Sequence, residues 1–535
     1  MPCSCRFRQE EIAVIGEFKG QSTESINAAD QILGPALANG RRDDVAILFD
    51  DSTMSFGQLD ELTSRVTNAI GSHARKGERV LMLLKDSPVF VAAFLGIMRS
   101  GSVAVPLNTR LAPRDLAYAI DDSGAEVLLI DDEFLPLYRS AAELSRRNPA
   151  LIAVRGDAAP GIVSLDRLIA EASTMAVSHP VGRDDMAFWL YSSGTTGVPK
   201  AVVHCHGDID VGDEYMRLFG MKPGQRVFAS SKLFFAFSLG HALIGALRAG
   251  ATIVLYDGWP DAAAIAAVVE RHRPNVMLSV PTMFRNLLRD GYARGAGFRS
   301  VRVCLSAGEA LPASLYQRWL DETGVPIVEG IGATETIFMF VSGTPDEHRP
   351  GATGKPMPYA QVKLLDESER PAVGVDVPGV AWTKLPSLCR GYWGQPEKTD
   401  AAFRDGWFKT GDVFSVDAEG WWHHQGRGDD LLKISGQWVS PGEIEECAAA
   451  IPGVLEAAVV AIENDDGLAR MTLFLVPEED VRPYQRERLE QRVRDVLQST
   501  LSIYKCPRNI RFIEAIPRTA TGKMQRFRLR QMASA

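Results

Sequence analysis

The most constraining feature of this chain is an alternation of two textures. Short apolar, β-branched runs take turns with segments of helical period. "RVLMLLKDS" reads as a strand, "PVFVAAFLGIMRSG" as a helix and "AVPL" as a strand. The same order returns in "DLAYAIDDSGAEVLLIDD" and in "AAIAAVVERHRPNVMLSVP". Parallel strands need a helical crossover, so the pattern predicts an α/β fold of doubly wound sheets covered by helices on both faces. The most apolar stretch, "PVFVAAFLGIMRSGSVAVPL", carries Arg99 and two glycines. That suits a buried helix followed by a strand, not a membrane span.

Around residues 351–395 the texture changes. Short alternating strands with many Gly and Pro turns predict a small antiparallel or barrel-like region. At "QGRGDDLLKISG" the apolar pattern breaks, and the stretch beyond it has the size of a compact unit. The expected division is a large domain over 1–428 and a small α+β domain over 429–535. The small domain is read as a helix ("PGEIEECAAAI"), strands ("VLEAAVVAIE", "MTLFLVP"), a charged helix ("RERLEQRVRDVLQSTL") and a last strand ("NIRFIEAI").

A length of 535 residues, 46% of them hydrophobic, allows several cores. The net charge of −9, from 58 basic and 67 acidic residues, argues against a nucleic-acid partner. Seven scattered cysteines suit a reducing, cytoplasmic setting, and Cys3 and Cys5 lack the further ligands of a zinc site. The N-terminal stretch shows no long apolar segment with a cleavage site, so no secretion signal is expected.

The chemistry enters at residues 191–200, "YSSGTTGVPK". Gly194 and Gly197 let the backbone turn tightly and bring N–H groups close to an anion. Ser192, Ser193, Thr195 and Thr196 add hydroxyl donors, and Lys200 adds a cation. The buried strand "MAFWLY" before it hangs the loop at a strand end, where ligands collect in open α/β folds. The loop is not a Walker loop: counted from Gly194, Pro199 stands where the second Gly belongs and Ala201 where the magnesium hydroxyl belongs.

This stretch resembles the signature loop of the acyl-adenylate-forming superfamily, the acyl–CoA synthetases and their relatives. Further motifs come in family order. "EGIGATE" (329–335) is similar to the adenine and magnesium segment, which implies adenine contacts from Glu329, Gly330 and Ile331 and phosphate and Mg²⁺ roles for Thr334 and Glu335. "SAGEALP" (306–312) resembles the loop across the adenine, with Gly308, Glu309 and Ala310. The resemblance implies that Asp412 of "WFKTGDVF" and Arg427 of "GRGDD" reach the ribose, and that Asp429 is a hinge. Lys523 of "IPRTATGKMQR" is the implied catalytic lysine for adenylation. Ser435, Gly436 and Trp438 are candidates for the pantetheine channel, with Lys433 contributing in the second state. The implied co-substrates are ATP with Mg²⁺, a carboxylic acid and coenzyme A, in a monomer or homodimer with no membrane span.

Two segments are expected to line the acid pocket: "KLFFAFSLGHAL" (232–243) and "IGATETIFMF" (331–340). They supply Phe235, Ala236, Phe237, Gly332 and Phe338. Apart from Glu335 no charged side chain is obvious at the tips of the phenylalanines. This argues against an amino-acid substrate, whose ammonium needs a buried carboxylate. The first segment looks most like benzoate–CoA ligases, in which Tyr often stands at the position of Phe237 and His at that of Phe338. Loss of both polar handles points to a drier pocket that favours an unsubstituted, alicyclic or halogenated ring. Phe338 reads equally well as core, and His241 either faces the pocket or is a satisfied helix residue. The expected activity is AMP-forming ligation of benzoate or a substituted benzoate to coenzyme A. The alternatives are a medium-chain fatty acyl–CoA ligase and a nucleotide-binding protein without catalysis.

Overall fold

Residues Val80 and Met82 of one strand face one core, while Leu81 and Leu83 between them face another. This period of two, buried on both sides, is the signature of a strand inside a parallel sheet. The computed structural model describes residues 26–156, 162–192, 199–428, 432–434, 437–463, 469–478, 481–518 and 524–534. In it, Arg79–Leu83 sits between the parallel strands Val103–Pro106 and Val127–Asp131. The sheet has seven strands and ends in the antiparallel hairpin Met186–Ser192 and Lys200–Cys205. A nine-stranded sheet stands beside it, with parallel strands Val45–Phe49, Thr252–Leu255, Arg226–Ala229, Val276–Ser279, Val303–Ser306 and Ile327–Gly332 at its centre.

One continuous core joins the sheets, drawing Val80 and Leu129 from the first and Val227 and Leu278 from the second. The helices Phe56–Gly71 and Pro88–Arg99 contribute to it. Pro88 occupies the first turn of its helix and Ser87 caps it, accepting from the Phe90 N–H at 3.2 Å. A Cβ at Gly96 would lie 2.8 Å from Val66 Cβ, so only glycine lets the two helices approach. Arg99 is buried and paired with Asp30 and Asp60, which explains a charge inside an apolar helix. Among the described residues no helix is long and apolar enough to cross a membrane.

The Gly- and Pro-rich region forms a five-stranded antiparallel sheet built from Gln361–Leu365, Gly379–Lys384, Phe403–Arg404, Trp407–Val416 and Trp422–Arg427. The small C-terminal α/β domain packs Val454–Glu463, Ala469–Pro477 and Asn509–Phe512 as one sheet. Helices Pro441–Ala449 and Arg486–Thr500 cover one face, through Ile444, Leu489 and Val493. Helix Arg526–Ser534 covers the other through Leu529 and Ala533. That last helix is not anticipated by the sequence pattern.

Candidate active site

The terminal hairpin of the seven-stranded sheet sets Ser192 opposite Lys200. Ser193, Gly194, Thr195, Thr196 and Gly197, which join them, lie outside the described residues. Ser192 Oγ is buried and finds no hydrogen-bond partner among the described residues. Lys200 reaches across to the Thr334–Glu335 turn, where its Nζ donates to Glu335 Oε1 at 2.9 Å. Tyr392 OH donates to the same oxygen at 2.8 Å, and the lysine ammonium stands 3.9 Å from the Tyr392 ring centre. Burial alone would raise the Glu335 carboxyl. The Lys200 charge and the two hydrogen bonds outweigh it and hold the group below its ordinary range. The site therefore keeps a buried anion, fixed by a cation and a phenol.

The turn that carries Glu335 has an unusual backbone. Ile337 adopts φ 54°, the left-handed region, which costs a β-branched residue about 1–2 kcal/mol. Three contacts hold it there. Ile337 N–H donates to Ala333 O at 3.0 Å, and Thr336 Oγ1 accepts from Ala333 N–H and donates to Phe338 O, each at 2.9 Å. Gly240 lies so close that a Cβ on it would sit 2.5 Å from the Ile337 carbonyl oxygen.

Asp412 and Arg427 are direct cross-strand neighbours in the antiparallel sheet. Arg427 Nη1 donates to Asp412 Oδ2 at 3.3 Å and to Thr410 O at 2.9 Å, and His424 Nε2 stands 3.3 Å from Asp412 Oδ1. Glu329 ties two loops together, accepting from Leu311 N–H at 3.0 Å and Thr353 Oγ1 at 2.9 Å. Burial pushes its carboxyl up. Gly330 is buried within the same strand, and Ile331 is half-buried at the edge of the core that contains Phe340 and Phe414. Gly308 and Ala310 are exposed, and Gly308 takes φ 88°. Glu309 accepts from Thr282 Oγ1 and from Arg518, both at 3.0 Å.

On the acid side, Phe235, Ala236 and Phe237 are half-buried and lead into a π-helix, Ser238–Gly245. Gly332 is exposed at the end of its strand. Phe338 is fully buried, and a Cβ on Gly212 would lie 2.7 Å from its ring. His241 touches Phe237, Phe338 and Tyr215 with ring centres 5.6, 5.5 and 4.8 Å away. Its Nδ1 faces Phe237 O at 2.9 Å and its Nε2 accepts from Met339 N–H at 3.3 Å. Burial pushes its pKa down to about 4, so the ring is neutral and both nitrogens are engaged. Of the two sequence readings of His241, the satisfied helix residue is the one the structure displays. Lys232, three residues before Phe235, is buried 3.7 Å from Asp86 and donates to Tyr256 O.

In the small domain, Lys433 and Trp438 are register partners on the strands Leu432–Ile434 and Gln437–Val439. Ser435, Gly436, the hinge candidate Asp429 and Lys523 lie outside the described residues. Arg518 and Met524, on either side of the Lys523 stretch, are bridged antiparallel. Arg518 pairs with both Glu309 and Glu456, and so links the two domains. Sequence reasoning did not select Tyr392 or Arg518. Their only local signals are the "RGYWG" turn and the arginine of "IPRTATGK".

The profile of AMP-binding enzymes matches residues 36–393, and that of the AMP-binding enzyme C-terminal domain matches residues 443–523. The chain belongs to the AMP-binding enzyme family. It is 51% identical to the 3-hydroxybenzoate–CoA/4-hydroxybenzoate–CoA ligase of Thauera aromatica, over 96% of this chain and 99% of that one. It is 49% identical to the 3-hydroxybenzoate–CoA ligase of Aromatoleum sp. (strain CIB), over 96% of this chain and 98% of that one. The crystal structure of the anthranilate–CoA ligase AuaEII with anthranoyl-AMP superposes with a TM-score of 0.90 at 35% identity, covering 95% of this chain and 98% of that one.

Proposed function

We propose that the chain is an AMP-forming aryl–CoA ligase acting on benzoate or a hydroxybenzoate. In the first step a carboxylate oxygen attacks the α-phosphorus of ATP, the bond to the β-phosphate oxygen breaks, and pyrophosphate leaves. In the second, the thiol of coenzyme A attacks the acyl carbon of the adenylate, and AMP leaves with the electron pair of the C–O bond. Two anions meet in the first step, so positive charge has to be placed in advance.

The observation that carries the reading is the junction of Lys200, Glu335 and Tyr392 at the root of the 193–198 loop. Its cation, Lys200, stands where the strand Lys200–Cys205 leaves that loop and is the charge we assign to the triphosphate. An all-oxygen pair, Glu335 and Thr334, fits a hard cation that keeps its other ligands from triphosphate and water. When bound, magnesium supplies charge against the triphosphate. Asp412 and Arg427 take the ribose, the 308–310 and 329–331 segments flank the adenine, and Lys523 brings the α-phosphate and the acid together. The contact of Arg518 with Glu309 supports this last assignment, because it sets the root of the Lys523 stretch beside the 308–310 loop. The small domain, 429–535, turns about Asp429 between the steps and brings Lys433, Ser435, Gly436 and Trp438 to the thiol path.

The wall of Phe235, Ala236 and Phe237 suits a flat ring, and the nearby Lys232 is tied to Asp86. The relatives named for hydroxybenzoates make a ring hydroxyl compatible with such a wall. Acid-dependent ATP–pyrophosphate exchange tests the proposal with benzoate, 3-hydroxybenzoate, 4-hydroxybenzoate and hexanoate. Exchange should be fastest with one of the aryl acids, and Lys523→Ala should abolish it while sparing thioester formation from a supplied aryl-adenylate. Preference for hexanoate, or no exchange with any acid, would overturn the reading.

A further inference from the structure

Lys200 and His204 lie on one face of the strand Lys200–Cys205, four residues apart, and both reach the same turn. Lys200 holds the Glu335 carboxylate. His204 Nε2 stands 2.8 Å from the Thr334 carbonyl oxygen. A carbonyl only accepts, so Nε2 must carry a proton. On the far side of the ring, Nδ1 stands 3.1 Å from Asp208 Oδ2, an oxygen that also accepts from Cys205 N–H at 2.9 Å. His204 and Asp208 are both buried, and Arg390 adds a positive charge close to Asp208 while pairing with Asp184. Phe188 stacks on the imidazole at 4.9 Å with an interplanar angle of 13°. The Nδ1 contact with Asp208 and the stacked Phe188 ring fix the orientation of the imidazole. That orientation aims the Nε2–H at the Thr334 carbonyl.

His206, two residues on, shows what a purely structural histidine of this motif looks like. Its Nδ1 accepts from Ala28 N–H at 3.0 Å, and its Nε2 finds no partner among the described residues. It holds no part of the site.

We propose that His204, backed by Asp208, is a positioning residue for adenylation, an inference that rests on the roles proposed for Thr334 and Glu335. The Thr334 carbonyl belongs to the peptide that enters Glu335. The Glu335 carbonyl, on the peptide that leaves it, accepts from Cys389 N–H at 2.8 Å. The two peptide planes flanking the carboxylate are thus each held, one by a backbone N–H of the segment after the strand Gly379–Lys384 and one by an imidazole. With both planes fixed, the directions of the Thr334 hydroxyl and the Glu335 carboxylate are set before ATP arrives, despite the strained residue two positions on.

The test uses the full chain, 3-hydroxybenzoate and its synthetic adenylate. His204→Ala should lower kcat of ATP–pyrophosphate exchange by about 10–100-fold, as loss of an outer hydrogen bond to a ligating group does. KM for the acid should hold, and so should thioester formation from the supplied adenylate. His204→Gln, which keeps an N–H for Thr334, should recover most of the loss. Equal damage to both half-reactions, or a Gln variant as poor as Ala, would overturn the proposal. A readout independent of substrate comes from ¹⁵N-histidine spectra of the wild type, with the His204 signal assigned by its absence in His204→Gln. A protonated Nε2 is expected, and a bare Nε2 would overturn the proposal even if His204→Ala failed to fold. Absence of exchange in the wild type with all aryl acids would sink the functional reading, while the nitrogen signal would still judge the clamp.

Discussion

The two sides of the proposed site are built on opposite principles. On the acid side, rings are set by close packing: Phe338 rests on Gly212, the π-helix turns past Ile337 at Gly240, and a neutral His241 fills the space between the rings. On the nucleotide side, charges are set by hydrogen bonds: Lys200 and Tyr392 converge on one oxygen of Glu335, and Arg427 meets Asp412 across a strand pair. Packing fixes shape and is felt by the whole domain. Hydrogen-bonded charge fixes position and is felt mainly by the reaction. The contrast teaches that stability and catalysis should separate when the two sides are changed one at a time.

The largest effect should come from the packed side. Phe338→Ala empties a fully buried ring site and should cost about 3–5 kcal/mol of stability, read by denaturant unfolding. A loss below about 1 kcal/mol would show that the wall collapses freely, and the contrast would fail. Next, Tyr392→Phe removes one hydrogen bond to a buried carboxylate and leaves the ring in place. It should lower the rate of adenylate formation about tenfold, equivalent to about 1.4 kcal/mol and near the top of the range for a single intramolecular hydrogen bond, with little change in melting temperature. A large fall in stability with unchanged kinetics would erase the distinction.

The smallest effect sharpens the boundary between the sides. Asp86 lies under the acid wall, where burial pushes its pKa from 3.8 to about 6 against the pull of Lys232 and the Leu233 N–H. Between those values the folded chain holds a proton that the unfolded chain has lost. Stability should therefore fall as pH rises from 3.8 to about 6. Asp86→Asn should flatten that slope in thermal unfolding at several pH values, and an unchanged slope would place its source elsewhere.

Much of this was legible in the residues themselves. The alternation of strand and helix gave the paired sheets, and the Gly-rich run within 191–200 is flanked by two strands that set Ser192 opposite Lys200 in register. Helix Pro441–Ala449 and the strands after it lie where period and breakers put them. Contacts between distant stretches were not legible. Whether Phe338 is core depends on Gly212, and no local pattern records that pairing. The reach of Tyr392 to Glu335 depends on residues 389–393 lying along the strand Lys200–Cys205, through Arg390 N–H to Val203 O and Val203 N–H to Gly391 O. The π-helix escaped for another reason: its extra residue per turn leaves "SLGHALIG" looking like any apolar helix.

The close approach of Gly240 to the Ile337 carbonyl has a bearing on redesign. Any side chain grown at position 240 would press on the same turn that carries Glu335, the carboxylate proposed to meet the nucleotide. On the proposed roles, substrate range and ATP chemistry are mechanically joined at this point, and laboratory evolution toward bulkier or smaller acids should find its freedom around Phe235 and Phe237 instead.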